Sequence, residues 1–209
     1  MATPYYTKQP VYLEDPSGRF NNILTNEFEG PRNQYGVGNT RLNFPFTPTI
    51  SVIQTANYNE YSFDHSNFQQ RAFQSHANMD LNITAPMLVR SEAEAEYVNN
   101  AALWLRSTMK MEWANDDNPG QPPPILRFNA HGIYENVPCV IRDFTWNLDS
   151  DIDYLEIQDP TSDKFKIMRV PVSNMFVLTL SVTYSPKSIR ENFSVKDYLK
   201  GNLKNQGYV

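Results

Sequence analysis

The chain has 209 residues, 40% of them hydrophobic, and carries 18 Lys and Arg against 23 Asp and Glu for a net charge of −5. That length suits one domain with extensions or two small ones, and the apolar share is too high for general disorder. The acidic balance excludes a global basic surface for gripping nucleic acid, yet permits a conduit through which DNA slides.

Twelve Tyr, twelve Phe and three Trp point to β-structure and to interfaces, where aromatics carry large contact areas. Fifteen Pro against eight Gly favour extended arms and rigid turns over glycine-rich phosphate loops. One cysteine, Cys139, allows no internal disulfide and fits a reducing cytosol. The start, MATPYYTKQPVYLEDP, has neither the basic nor the apolar region of a signal peptide, and no run approaches the ~20 apolar residues of a membrane span. The expectation is a soluble protein made in the cytosol.

In residues 1–46, Pro4, Pro10, Pro16, Pro31 and Pro45 break any helix, while Tyr5, Tyr6, Tyr12, Phe20, Phe28, Tyr35, Phe44 and Phe46 are more aromatic than a solvated leader carries. A disordered leader and an extended arm packing on a neighbouring subunit both remain open. TPTISVIQTA from Thr47 reads as a strand. Residues 58–77 read as a strand end followed by a long excursion, since Phe63, Phe68 and Phe73 fall at spacings of neither helix nor strand. In 78–86, Met79, Leu81, Ile83 and Ala85 alternate with polar partners, predicting a half-buried strand stopped by Pro86.

A helix is predicted over about 92–111. Ser91 with Glu94 forms a capping box, Glu92, Glu94 and Glu96 load the first turn, and Lys110 lies near the far end. Val98, Ala101, Ala102, Leu105 and Met109 make its apolar stripe. Residues 115–124, with Gly120 and three successive prolines, end it in a polyproline turn. ILRFNAHG is a strand stopped at His131-Gly132. In VPCVIRDFTWNL, Val137, Cys139 and Ile141 share one parity and Phe144, Trp146 and Leu148 the other, which predicts a β-bulge near Arg142–Asp143. A short strand follows at 165–170. NMFVLTLSVTYS alternates with Phe176, Leu178, Leu180, Val182 and Tyr184 inward. In the polar tail, Phe193, Val195, Tyr198 and Leu199 suit a short docking helix. The predicted class is mainly β (α+β), an antiparallel β-barrel or bent sandwich with one flanking helix. Its parts are an arm (1–46), a β-domain (47–186) and a C-terminal docking tail (187–209).

No group of residues stands out as able to run a reaction. Asp149, Asp151 and Asp153 begin like a calcium loop, but Tyr154 and Pro160 stand where Gly and a bidentate carboxylate are needed, so an acidic turn is expected. His65, His76 and His131 show no ligand spacing, and Cys139 lies in an apolar strand where an inert thiol is the default. Phosphate loops and nucleophile elbows are missing. No catalytic, cofactor-binding or metal-binding residue is assigned, and no cofactor is implied.

The run AEAEYVNNAALWLRSTMKMEW…NPGQPPPILRFNAHG…NVPCVIRDFTWNLDSDIDYL resembles the baseplate tail-tube initiator and tube-cap proteins of large contractile-tailed, T-even-like phages, and more distantly the tail-tube β-barrel family. The elements are Leu105-Arg106-Ser107 with Lys110, Gly120 to Pro124, Asn136-Val137-Pro138 with Val140-Ile141, and Asp151 with Asp153-Tyr154. They fall within about residues 78–204. The resemblance implies a barrel of the tail-tube type and a homo-oligomer, a sixfold ring in the virion, assembled in the host cytoplasm. It further implies contacts with tail-tube protein and baseplate hub proteins, with DNA only as passing cargo. A tail-tube or tube-terminator role on the same fold is the near alternative. A different class, a small-ligand or carbohydrate-binding β-domain, would stack sugars on Tyr97, Trp104, Trp113 and Trp146. An enzyme using Cys139 with a histidine is the third reading.

Overall fold

The computed structural model describes residues 11–19, 41–111, 113, 120–158 and 167–209. The expected arm's residues 1–10 and 20–40, the start of the polyproline turn at 115–119, residues 165–166 of the expected short strand, and Pro160 lie outside the described residues.

Seven strands make one antiparallel sheet: β1 (Tyr12–Glu14), β2 (Arg41–Asn43), β3 (Thr49–Ile53), β6 (Asp80–Leu88), β7 (Leu126–Ala130), β8 (Tyr134–Trp146) and β11 (Ser173–Val182), in the order β2-β1-β7-β8-β11-β6-β3. Two hairpins stand apart from it, β4 (Ala56–Tyr61) with β5 (Gln70–His76) and β9 (Tyr154–Gln158) with β10 (Ile167–Pro171). The protein is thus mainly β and antiparallel, as predicted. The sheet does not close: β2 and β3 are its two edges among the described residues, so the expected barrel is not formed within one chain.

Alternation decides which face is buried. Leu178 pairs with both Ile83 and Phe144, Leu180 with Leu81 and Ile141, and Leu13 with both Phe128 and Leu42. These side chains form one apolar layer, and Leu13, Leu42, Leu81, Ile83, Phe128, Leu178 and Leu180 are fully buried. The parity change in β8 is absorbed where predicted. Thr179 faces Asp143 and Leu180 faces Ile141, so Arg142 is the extra residue of a bulge and Phe144 and Trp146 turn inward after it.

The helix α1 (Glu92–Thr108) covers that layer, ending three residues short of the predicted boundary. Ser91 Oγ accepts from the Glu94 amide, and Glu94 Oε2 accepts from the Arg90 amide at 2.6 Å, one residue before the cap. Ala95, Val98, Ala101, Ala102 and Leu105 are buried as the stripe requires, and Trp104 and Thr108 join them. The hydroxyl of Tyr97 donates to the Asn43 carbonyl, tying α1 to β2.

Four expectations need correction. Residues 11–14 and 41–44 are not a free arm: Val11, Leu13, Leu42 and Phe44 are core residues, because β1 completes the ladder of β7. Pro86 does not stop β6, which continues to Leu88 against β11. The partner β3 reaches only to Thr84, so beyond it one flank of β6 has no ladder for a proline to break. The excursion at 58–77 is the β4–β5 hairpin. In the tail the predicted short helix forms as α3 (Val195–Leu199) and Phe193 packs on Tyr208 at 5.5 Å, but Val195 and Leu199 are 63% and 81% exposed, and the buried tail residues are Leu203 and Tyr208.

The tail, with α2 (Pro186–Asn192) and α3, folds back on its own chain. Tyr184 and Tyr208 stack at 4.9 Å, the Tyr184 hydroxyl donates to the Gly207 carbonyl, and the Val209 amide donates to the Tyr184 hydroxyl. Gly207, at φ +80, lies against the start of β8, where an added Cβ would stand 2.3 Å from the Asn136 oxygen.

Candidate functional site

The hydrogen-bonded register that sorts Leu180 inward sorts its neighbours outward. On the face of the sheet opposite α1, Thr49, Ser51, Asn82, Thr84, Thr145, Thr179 and Ser181 lie on adjacent strands. Each of these is exposed or half-buried. Small hydroxyl and amide side chains share this four-strand surface with exposed Ile53, Met175 and Val177. Its charged residues are Asp80, Asp143 and the bulge residue Arg142, whose guanidinium meets Asp80 at 2.7 Å and Asp143 at 3.1 Å. These bonds, to Asp143 first and then Asp80, raise the affinity of Arg142 for its proton. Arg142 is therefore compensated by two carboxylates, while Arg127 of β7, on the outward parity beside buried Phe128, forms no ion pair among the described residues.

The β4–β5 hairpin extends the β3–β6 ladder outward. Ile53 pairs with Asp80, and after a short break Ala56 pairs with His76. Every residue of both strands is exposed. Its tip and flanks carry Tyr58, Tyr61, Phe63, Phe68 and Phe73, at 48% to 82% exposure. Tyr58 and Phe73 meet edge to face at 5.7 Å, and Arg71 pairs with Glu60 at 2.8 Å. A lone two-stranded hairpin is marginal in water, and clustered exposed aromatics mark an interaction surface. The edge strand β3 adds Val52 and Ile53, 37% and 52% exposed. An open edge with apolar side chains is a template for pairing with another strand.

Other sequence-level candidates are scattered. Asp149, Asp151 and Asp153 form the expected acidic turn after β8, where the Tyr154 hydroxyl donates to the Asp149 carbonyl. His65 lies in the β4–β5 turn, His76 ends β5, and His131 sits in the β7–β8 turn. There His131 and Gly132 both take positive φ, as a tight hairpin needs. Among the described residues no three His, Cys, Asp or Glu side chains gather to hold a metal. Cys139 is buried, and loss of water pushes its thiol up to about 12, against use as a nucleophile near neutral pH. The sugar-stacking set does not share a surface. Trp104 is fully buried under α1, Trp113 is 76% exposed, and Trp146 is half-buried against Phe176.

The outward parity of Thr179 and Ser181 follows from the sequence, but the polar face they build with other strands does not. Thr179, Ser181 and Asn82 occupy the outward parity of the two most regular strands, but only the register shows that they adjoin. No protein-family model matches this chain, and a search of curated proteins finds no significant similarity. No helix among the described residues is long and apolar enough to cross a membrane.

Proposed function

We propose that this protein is a structural ring subunit of a contractile phage tail, placed at the junction of baseplate and tube. In this reading six copies join their sheets edge to edge, enclose the DNA channel, and seed polymerisation of the tube on the hub. The observation that carries it is the seven-stranded sheet, whose edges β2 and β3 are unpaired among the described residues and whose face opposite the helix is rich in small polar side chains, with Arg142 held by Asp80 and Asp143. Such a face lets DNA slide, because basic side chains would hold phosphates in a salt-dependent grip. Open edges are an aggregation hazard on a monomer and are used up when the chain closes a ring. The exposed hairpin aromatics supply a second contact, between neighbours or between stacked rings. The resemblance of residues 78–204 to tube-initiator proteins supports the same reading.

The test is a triple substitution, Tyr58→Ser, Phe68→Ser and Phe73→Ser, followed by light scattering on a sizing column. All three side chains are more than half exposed, so the monomer's melting curve is expected to stay within about 0.5 kcal/mol of wild type, the usual range for surface changes. The multimer is expected to be lost. An unchanged multimer would remove the hairpin from the assembly.

A further inference from the structure

Where the β7–β8 turn meets the end of β3 and the C-terminal tail, a groove of about 290 Å³ opens. Val52, Met79, Ile133, Tyr134, Tyr198 and Tyr208 are among its lining residues. Its walls are fixed. Tyr208 is buried in its stack on Tyr184, and Gln54 Nε2 donates to Met79 Sδ at 3.1 Å. Ile133 and Tyr198 are 61% and 41% exposed, so the apolar lip is open to solvent. The volume lies at the lower limit of small-molecule sites, about 300 Å³, and suits an inserted side chain better than a cofactor.

The same molecule displays such a side chain, covered by no described residue. Phe68, in the turn of the β4–β5 hairpin, is 82% exposed, and Phe63 in the same turn is 58% exposed. The turn holds both out. The Ser66 amide donates to the Phe63 carbonyl at 3.2 Å. The Ser66 hydroxyl donates to the Phe68 carbonyl at 2.8 Å, and the Phe68 amide donates to the Ser66 oxygen at 3.3 Å. An anchor already fixed in shape loses little freedom on docking. The charges match as well. Between Ser62 and Gln69 the turn carries Asp64 and no Lys or Arg, whereas the tail along the groove (187–209) carries five Lys and Arg against two Asp and Glu.

We propose that the hairpin tip of one copy docks in this groove on a neighbouring copy, with Phe68 as the inserted anchor and Asp64 facing the basic tail. This deepens the ring reading, on which it rests, by naming the two surfaces that join neighbours. The chain's own tip is out of reach. Gln54 lines the groove and Ala56 begins β4, so the hairpin leaves from the groove's edge, and six residues of strand carry the tip roughly 20 Å away. All of β4 and β5 is exposed, so the hairpin does not fold back on the sheet. A projecting apolar side chain and a complementary pocket elsewhere on one molecule make a heterologous contact, which closes into a ring when the rotation allows. Hairpin and groove lie at the same end of the sheet, where β3 ends and β6 begins. Copies stacked head to tail would keep the two apart, and neighbours within one ring bring them together.

The test is disulfide trapping between full-length variants, Phe68→Cys in one preparation and Ile133→Cys in the other, mixed under mild oxidation. Cys139 is buried and stays out of the reaction. The control replaces Ile133→Cys by Trp113→Cys, at a residue 76% exposed and outside the groove lining. The mixed dimer should form at least tenfold faster with Ile133→Cys than with the control, and equal rates would overturn the proposal. A second measure is Ile133→Ser/Tyr198→Ser, whose circular dichroism melt confirms folding. It should weaken self-association at least tenfold by light scattering, and undiminished self-association would also overturn the docking. The ring reading is scored apart, from the mass of the untrapped protein. Sixfold assembly without tip-to-groove trapping sinks only the docking, and trapping in a protein no larger than a dimer sinks only the ring.

Discussion

Removing residues 1–46 should unfold the protein, whereas a detachable arm would leave its melting curve untouched. The difference follows from Val11, Leu13, Leu42 and Phe44, which are 0% to 6% exposed inside the core. At about 1.5–3 kcal/mol for each fully buried apolar side chain, the four contribute roughly 6–12 kcal/mol. That is an upper bound, since an unfolded chain already buries part of this area. Deletion also strips the β7 edge and uncovers Phe128, which pairs with Leu13. A typical domain has only about 5–15 kcal/mol of net stability, so the truncated chain should be insoluble or lack a cooperative transition. A milder probe is Leu13→Ala, expected to cost about 2–5 kcal/mol. At roughly 2–4 °C per kcal/mol for this size, that lowers the midpoint by about 4–20 °C. The assay is thermal melting by far-UV circular dichroism, with urea titration as a check. A truncated chain that melts cooperatively with the full chain's midpoint would refute the placement of β1 and β2 in the core.

Leu180→Asp should abolish soluble folding, since Leu180 is fully buried between Leu81 and Ile141 and the change buries an unpaired charge; a soluble variant that melts cooperatively would contradict the register. Gly207→Ala should loosen the tail, because its Cβ would meet the Asn136 oxygen at 2.3 Å and Pro138 Cδ at 2.8 Å. Faster cleavage of the last residues by carboxypeptidase would report the loosening, and unchanged protection would count against this packing. Alkaline pH should destabilise the fold: burial raises Cys139 from 9.0 to about 12 and Tyr184 from 10.0 to about 12. The unfolded chain then releases protons first, so stability is full below pH 9 and falls as pH rises from about 9 towards 12. Midpoints at pH 7, 9 and 10.5 check the sign, and an increase at pH 10.5 would reverse it.

Local patterning carried much of the fold. The capping box at Ser91, the inward alternation of β11 and the bulge at Arg142 are all properties of a few consecutive residues, and each lies where the sequence places it. What was not legible depends on distant partners. Leu13 and Leu42 sit in segments with no visible period, and they are buried because β7 offers a free ladder. Pro86 reads as a stop until the end of β3 at Thr84 is known. Trp104 falls outside the simplest apolar stripe, yet α1 lies close enough to the sheet to bury it as well. The candidate surface shows the same division. Thr179 and Asn82 look like ordinary solvent-facing residues, and pairing β11 with β6 makes them one polar plane. Barrel closure was the expectation furthest from the chain's own structure: among the described residues the sheet ends at β2 and β3, and β3 leaves Val52 and Ile53 exposed.

The most direct test of the ring reading is the mass and shape of the purified full-length protein, alone and with baseplate hub proteins, by light scattering and negative-stain imaging. The account predicts sixfold rings with a central channel, formed or strengthened by the hub. A monomer or dimer that stays so when mixed with the hub would contradict it.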